Sequence, residues 1–272
     1  MTANFPSLLY GTAWKKEKTT ECVEMALDCG FRGIDTACQP KHYHEAGVGE
    51  GLSKAYEKGL KREELFIQTK FTPLGGQDPQ NIPYNPQESI EQQIATSFEV
   101  SKKNLHTDYI DSLLLHSPLF PYPNMQRAYK AMEGLYDKGE VLHLGISNCY
   151  DLELLKHVYQ DARVKPSYVQ NRFYADTGYD KELRAWCINH NIAYQGFWTL
   201  TANPHILQSE PMRLLAQKYA KTEAQLFYRF LTCKGITPLI GSTSKRHLEE
   251  DVAIFDFELE REDSEILERF LL

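Results

Sequence analysis

Short apolar runs recur along the chain at a steady pitch. Eight read as strands: LLYGT (8–12), RGIDTA (32–37), LFIQTKF (65–71), YIDSLLLH (109–116), LHLGISN (142–148), YVQNRF (168–173), AYQGFW (193–198) and ITPLIGS (236–242). They are short and largely apolar, as strands buried on both faces of a parallel sheet are. Between them, apolar residues fall three and four apart, as at Cys22, Met25 and Ala26 or at Leu154, Leu155 and Val158. That is helical spacing, and the alternation reads as repeated βαβ units. Eight units in 272 residues leave about 34 each, enough for a strand, a helix and two loops. The pattern predicts a (β/α)8 TIM barrel, one domain over residues 1–272. An open doubly wound sheet is the competing architecture, and it calls for G-x-G-x-x-G after an early strand. The chain has only GVGEG (47–51), with the wrong spacing and inside a helix-like segment that begins near His44 and Glu45.

Boundary signals agree with this division. Thr19 and Thr20 precede a periodic run that stops at Gly30. Pro86 is expected to open the long helix to Leu105, with Glu88 and Glu91 in its first turns. Asp151 is placed to cap the helix after strand five. Residues 75–86, GGQDPQNIPYNP, form the one long turn-rich loop. REDSEILERFLL (261–272) reads as a final helix.

Composition narrows the function classes. With 42% hydrophobic and 25% charged residues the chain is ordinary globular material. Its net charge is −7 and both signs are interspersed, which argues against a nucleic-acid partner, since that needs a basic face. No run approaches the ~18 apolar residues of a membrane span. MTANFPSLLYG has no basic segment ahead of an apolar core, so no signal peptide is expected. The six cysteines are scattered singly, as reduced thiols of a cytoplasmic enzyme would be.

Candidate chemistry lies at strand ends. Asp35 closes the second run, Tyr43 follows in the next loop, Lys70 ends the third and His116 the fourth. In a barrel these positions share the carboxyl-end mouth. Singly, each is an ordinary capping, packing or solvated residue. The histidines 42, 44 and 116 raise a metal-dependent hydrolase as an alternative, but no further ligand set is spaced for a metal.

In sequence, IDTA, Y-x-E-x-x-VG, the TK ending a strand, LLLHSP, LGISN, YVQNRFY and IGSTSKRHLEED follow one another. Taken together they resemble the aldo-keto reductase family over nearly the whole chain. The resemblance implies hydride transfer from a reduced nicotinamide to an aldehyde or ketone, with Asp35, Tyr43, Lys70 and His116 as catalytic residues. Tyr43 would be the proton donor, Lys70 would lower its pKa, Asp35 would hold Lys70, and His116 would orient the carbonyl. Ser147, Asn148 and Gln170 resemble carboxamide contacts, Phe197 the stacking aromatic, and Trp198 and Leu200 the loop along the pyrophosphate. Ser242, Thr243, His247, Glu250 and Asp251 resemble the adenosine end, and Trp14 the substrate-pocket tryptophan. The family pattern also adds an extra helix near 208–219 and a barrel helix over 222–235.

Three departures stand out. Tyr43 lies eight residues after Asp35 where most members have five, so CQPKHY must bulge. Gly241 and His247 replace a lysine and an arginine that grip the 2′-phosphate, with Lys245 and Arg246 close by as substitutes. The cofactor implied is NADPH, with NADH possible. The loop after His116 is short and the usual C-terminal tail is missing, which implies an open, undiscriminating pocket. The expected partner is a small carbonyl compound, and the expected state a monomer. The alternative within the resemblance is a nucleotide-binding regulatory subunit with vestigial activity.

Overall fold

The computed structural model describes residues 6–271. Residues 1–5, the first part of the MTANFPSLLYG segment on which the signal-peptide reading rests, and Leu272 of the final predicted helix lie outside them. All eight expected strands form: β1 (Leu9–Gly11), β2 (Gly33–Asp35), β3 (Phe66–Phe71), β4 (Ile110–Leu115), β5 (Val141–Ser147), β6 (Tyr168–Arg172), β7 (Ala193–Phe197) and β8 (Ile236–Ile240). Each pairs in parallel with its sequence neighbour, and β8 closes on β1 with Leu239 opposite Leu9. The result is the expected closed (β/α)8 barrel.

Helices α1 (Thr19–Asp28), α2 (Glu45–Glu57), α3 (Ile90–Leu105), α4 (Tyr122–Asp137), α5 (Leu152–Asp161) and α6 (Lys181–Asn189) follow the first six strands. The short α7 (Pro204–Leu207), then α8 (Glu210–Tyr219) and α9 (Glu223–Cys233), stand between β7 and β8. After β8 come α10 (Lys245–Val252) and α11 (Arg261–Glu268). The main core is the layer between strands and helices, where Val23, Leu52, Phe98, Met132, Leu155 and Phe227 are buried.

Two boundaries differ from expectation. The long helix starts at Ile90, not Pro86. Ser89 and Gln92 form a reciprocal capping box there, and Asn85 Oδ1 accepts from the Gln87 amide in a local turn that competes with helix. Thr19 and Thr20 lie inside α1, and the Thr19 hydroxyl donates back to Lys16 O. Asp151 caps α5 as expected, accepting from the amides of Glu153 and Leu154.

The glycines of GVGEG serve packing. A Cβ at Gly51 would meet the Val23 side chain of α1 at 2.8 Å, and one at Gly49 would stand 2.0 Å from Asn104 O of α3. α2 is thus wedged closely between its neighbours. Gly49→Ala therefore costs about 3 kcal/mol, because backbone must move. Gly134→Ala, on α4 with nothing within 4 Å, gains about 0.5 kcal/mol. Urea denaturation midpoints moving in these opposite directions check the pair of predictions; an unchanged Gly49→Ala midpoint refutes it.

Candidate active site

The barrel register sets the carboxyl ends of the strands side by side, and one ion pair lies just below the mouth. Asp35 and Lys70 are each 1% exposed, with Lys70 Nζ 2.7 Å from Asp35 Oδ2. Nζ also donates to Thr36 O at 2.8 Å. Asp35 Oδ1 accepts from the Gln68 and Gln170 amides at 2.7 and 2.9 Å. Both amides donate as well to Gln195 Oε1, and the Gln195 amide returns a bond to Gln68 Oε1. A buried pair offsets its desolvation only when its remaining donors and acceptors are satisfied, and this glutamine floor does that. Burial pushes the Lys70 ammonium down from its usual range, against the pull of Asp35.

Tyr43 reaches this pair despite the longer spacing. The insert folds into a turn in which the amides of His42 and Tyr43 both donate to Gln39 O. Gln39 Nε2 donates to Gly76 O of the 75–86 loop, and the Trp14 amide donates to His42 O. The bulge is thus fastened on both sides. The Tyr43 ring centroid lies 5.2 Å from Lys70 Nζ, and the ring meets His116 edge-on at 6.0 Å. Burial first, and the Asp35 charge second, hold the phenol well above its ordinary pKa. This reverses the expectation that Lys70 lowers it: the phenolate's lost hydration and the nearby carboxylate outweigh the cation. The phenol keeps its proton at neutral pH.

His116 is anchored through Nδ1, 2.7 Å from Thr72 Oγ1. Thr72 O in turn accepts from the Tyr84 hydroxyl and the Gln77 amide of the long loop. Burial, then Lys70 and His42, lower the imidazole pKa and leave the ring neutral.

A cavity of about 740 Å³ opens above these groups. Trp14, Asp35, Tyr43 and His116 line one part of it; Ser147, Asn148, Gln170, Phe197, Trp198 and Leu200 line the middle. Ser242, His247, Glu250 and Asp251 line the far end. Two predicted residues fall elsewhere. Lys70 lies beneath the floor. Thr243 is exposed, because only Ser242 of that pair turns inward, with Ser242 Oγ accepting the Ser244 amide. Several lining residues were not singled out in the sequence as site residues, among them Lys15, Gln39, Tyr228 and, as a pocket group, His42. Lys15 had one signal, its place directly after Trp14. The others carried none, since they reach the cavity by folding from separate loops and helices. Among the described residues, no three His, Cys, Asp or Glu side chains are grouped to hold a metal.

The model of the aldo/keto reductase family matches residues 7–271. The chain belongs to the aldo/keto reductase family. Curated relatives include a glyoxal reductase of Bacillus subtilis, 32% identical over 90% of this chain and 81% of that one. A methylglyoxal reductase, DkgA, of Yersinia pestis is 29% identical over 91% and 82%. Among solved structures, an aldo-keto reductase from a Medee basin deep-sea metagenome library superposes with a TM-score of 0.82 at 27% identity, covering 98% of this chain and 92% of that one. As a member of this family, the chain is an NAD(P)H-dependent reductase.

The far end of this aldo/keto reductase's cavity holds two cations and a carboxyl without a donor. Lys15 donates to Gly241 O, a backbone carbonyl and not a carboxylate. A Cβ at Gly241 would stand 3.6 Å from Lys15 Nζ, so the ammonium occupies the neighbourhood that a lysine at 241 would enter. Arg246 lines the cavity and pairs with Glu250 at 3.4 Å, whereas Lys245 pairs with Glu249 outside it. Asp251 is 5% exposed, takes no hydrogen bond among the described residues, and is pushed up to about 7 by burial and then by Glu250. A folded pKa above the unfolded value of about 4 means that the native state keeps a proton the unfolded chain loses. Stability therefore falls as pH rises from about 4 to about 7 and is level above. Thermal midpoints of wild type and Asp251→Asn are expected to coincide near pH 4 and to separate by a few degrees at pH 7, the variant higher. A gap independent of pH would count against this assignment.

Proposed function

We propose that this protein reduces small aldehydes and ketones to alcohols with NADPH, Tyr43 acting as general acid. The observation that carries this reading is the convergence of Tyr43, His116 and the buried Asp35–Lys70 pair on one cavity. The nicotinamide, when bound, supplies the hydride. The chain's own residues handle the charge that forms on the carbonyl oxygen. Tyr43 holds a proton at neutral pH and donates it. The Lys70 ammonium, beside the ring, meets the negative charge left on the phenol, and Asp35 fixes that ammonium. Thr72 Oγ1 engages Nδ1, which leaves Nε2 of the neutral His116 ring to face and orient the carbonyl oxygen.

The cavity's residues fit the cofactor. Gln170 donates to Asp35 and Gln195 through its nitrogen, which leaves its Oε1 for a carboxamide N–H. Ser147 and Asn148 stand beside it, tied to Gln170 O and His116 O. Phe197 offers a flat apolar face. Lys15 and Arg246 supply the cations for the 2′-phosphate in place of Gly241 and His247, and Ser242, Glu250 and Asp251 surround the adenosine end. On this reading NADPH is preferred and NADH is accepted less well. We further propose a cytoplasmic monomer without nucleic-acid or membrane partner. No helix among the described residues is long and apolar enough to cross a membrane.

Purified protein is expected to oxidise NADPH in the presence of aromatic and aliphatic aldehydes, followed by NADPH absorbance. Oxidation with none of them defeats the proposal. Tyr43→Phe is expected to lower kcat by about 10²–10⁴-fold while leaving the NADPH Kd, read by protein-fluorescence quenching, nearly unchanged. Lys15→Met is expected to weaken NADPH about tenfold, the weight of one charge-assisted contact, and NADH much less. Equal losses for the two cofactors would place Lys15 at a phosphate they share.

A further inference from the structure

The loop that carries the phenol is also held from behind. Glu45, two residues past Tyr43, is the first residue of α2 and is 5% exposed. His44, between them, gives the helix no side-chain cap, so the fixing of this junction falls to Glu45. Its Oε1 accepts the Thr69 hydroxyl of β3 at 2.6 Å and the Ser101 hydroxyl of α3 at 2.9 Å. Its Oε2 accepts the Asn104 side-chain amide of α3 at 3.2 Å. With both oxygens engaged, the carboxyl is fixed in orientation. Cys38, at the other end of the insert, stands close enough for the Glu45 charge to add to burial in pushing its thiol up to about 12. Both ends of the bulge thus meet one buried group.

Packing alone does not call for a carboxyl here. A buried acid is less favourable than an apolar side chain of similar size unless its donors offset the lost hydration. A buried polar group whose bonds are made instead specifies one arrangement of the segments it joins. The segments joined are those of the proposed proton transfer. Thr69 immediately precedes Lys70, and side chains alternate along a strand. Lys70 turns to Asp35 at the barrel floor, while Thr69 turns to Glu45 in the layer of helices. One hydrogen bond therefore links the strand of the ammonium to the loop of the phenol. Burial lowers the Lys70 pKa, and the charges of Asp35 and then of Glu45 oppose that shift.

We infer that Glu45 is a positioning residue for proton transfer: through the Thr69 hydroxyl it locks the Tyr43 loop to β3 and so sets the separation of phenol and ammonium. The inference rests on the reductase reading and adds to it a residue that does not touch the reacting atoms. With the lock released, the cofactor still binds and the phenol still holds its proton, but delivers it from a poorer position. A displacement of about 1 Å at a reacting group can cost about 10²-fold in rate. Loss of one anchor among several is expected to cost about tenfold.

The readout is the single-turnover rate of NADPH oxidation with whichever aldehyde wild type reduces fastest, since this reports the chemical step and not product release. Thr69→Val keeps the shape of the side chain and removes the hydroxyl. It is expected to lower the rate about tenfold, with the NADPH Kd from fluorescence quenching within twofold of wild type. Thr69→Ser restores the hydroxyl and is expected to return the rate to within threefold. Ser101→Ala removes a bond to the same oxygen that leads to α3 and not to β3, and is expected to leave the rate within twofold. In a Tyr43→Phe background, Thr69→Val is expected to change the residual rate by less than twofold, because its effect runs through the phenol. All variants are assayed well below their thermal midpoints, so that the rates belong to folded protein. A Thr69→Val rate within twofold of wild type, an equal loss in Ser101→Ala, or the full tenfold loss in the Tyr43→Phe background overturns the inference and leaves the reductase reading intact. A wild type that oxidises NADPH with no aldehyde overturns both.

Discussion

The Asp35–Lys70 pair is the constraint around which the mouth of the barrel is arranged. Two opposite charges with almost no solvent contact would, if alone, weaken the fold, because the water each loses is worth more than their mutual attraction returns. Here the remaining valences are filled. Lys70 has a second acceptor in Thr36 O, and Asp35 Oδ1 takes two amides. Those amides come from β3 and β6 and meet over Gln195 of β7. A network joining β2, β3, β6 and β7 can be satisfied only when the barrel is closed in register, so the charge pair and the closure support each other. Removing one partner from such a pair typically costs about 3–5 kcal/mol, and removing Asp35 would also leave the Gln68 and Gln170 amides without their shared acceptor.

The same pair sets the electrostatics above it. Tyr43 sits within range of both charges, and the phenol pKa goes up, not down. Position alone does not tell which charge dominates; solvent exposure decides it, and a sequence carries no direct record of exposure. The general-acid reading is served by the outcome, since a donor must hold its proton until the oxyanion forms.

Much of this architecture was legible from periodicity and strand-end chemistry. The eight runs, Asp151 as a cap and the positions of Asp35, Lys70 and His116 at the carboxyl ends all follow from local pattern. What local pattern missed has physical causes. Pro86 is a fair helix opener in isolation, but a capping box at Ser89 and Gln92 satisfies two groups at once and wins. Thr243 resembles a phosphate-loop residue, yet neighbouring residues of a loop face opposite ways. The glutamine floor joins positions 68, 170 and 195, and no periodic signal links residues so far apart. His42 and Lys15 were visible as residues but not as cavity walls, because their place depends on how two loops lean on each other.

The polar groups at the far end of the cavity point one way. Lys15 meets a backbone carbonyl and not a carboxylate, Asp251 lacks a donor, and both are partly withdrawn from water. Asp251 in particular lowers the stability of the barrel, since a carboxyl held away from solvent without a donor is costly. The helices and strands behind them are packed tightly, as the glycines of α2 indicate, so the scaffold has stability to set against these local costs. A site built this way is preorganised: ligand groups meet donors and acceptors already stripped of water, and little rearrangement is left for the moment of binding. The insert extends that logic to the substrate end. Its turn is held by Gln39 to one loop and by Trp14 to another, so the longer link between Asp35 and Tyr43 is itself fixed and leaves the phenol little freedom.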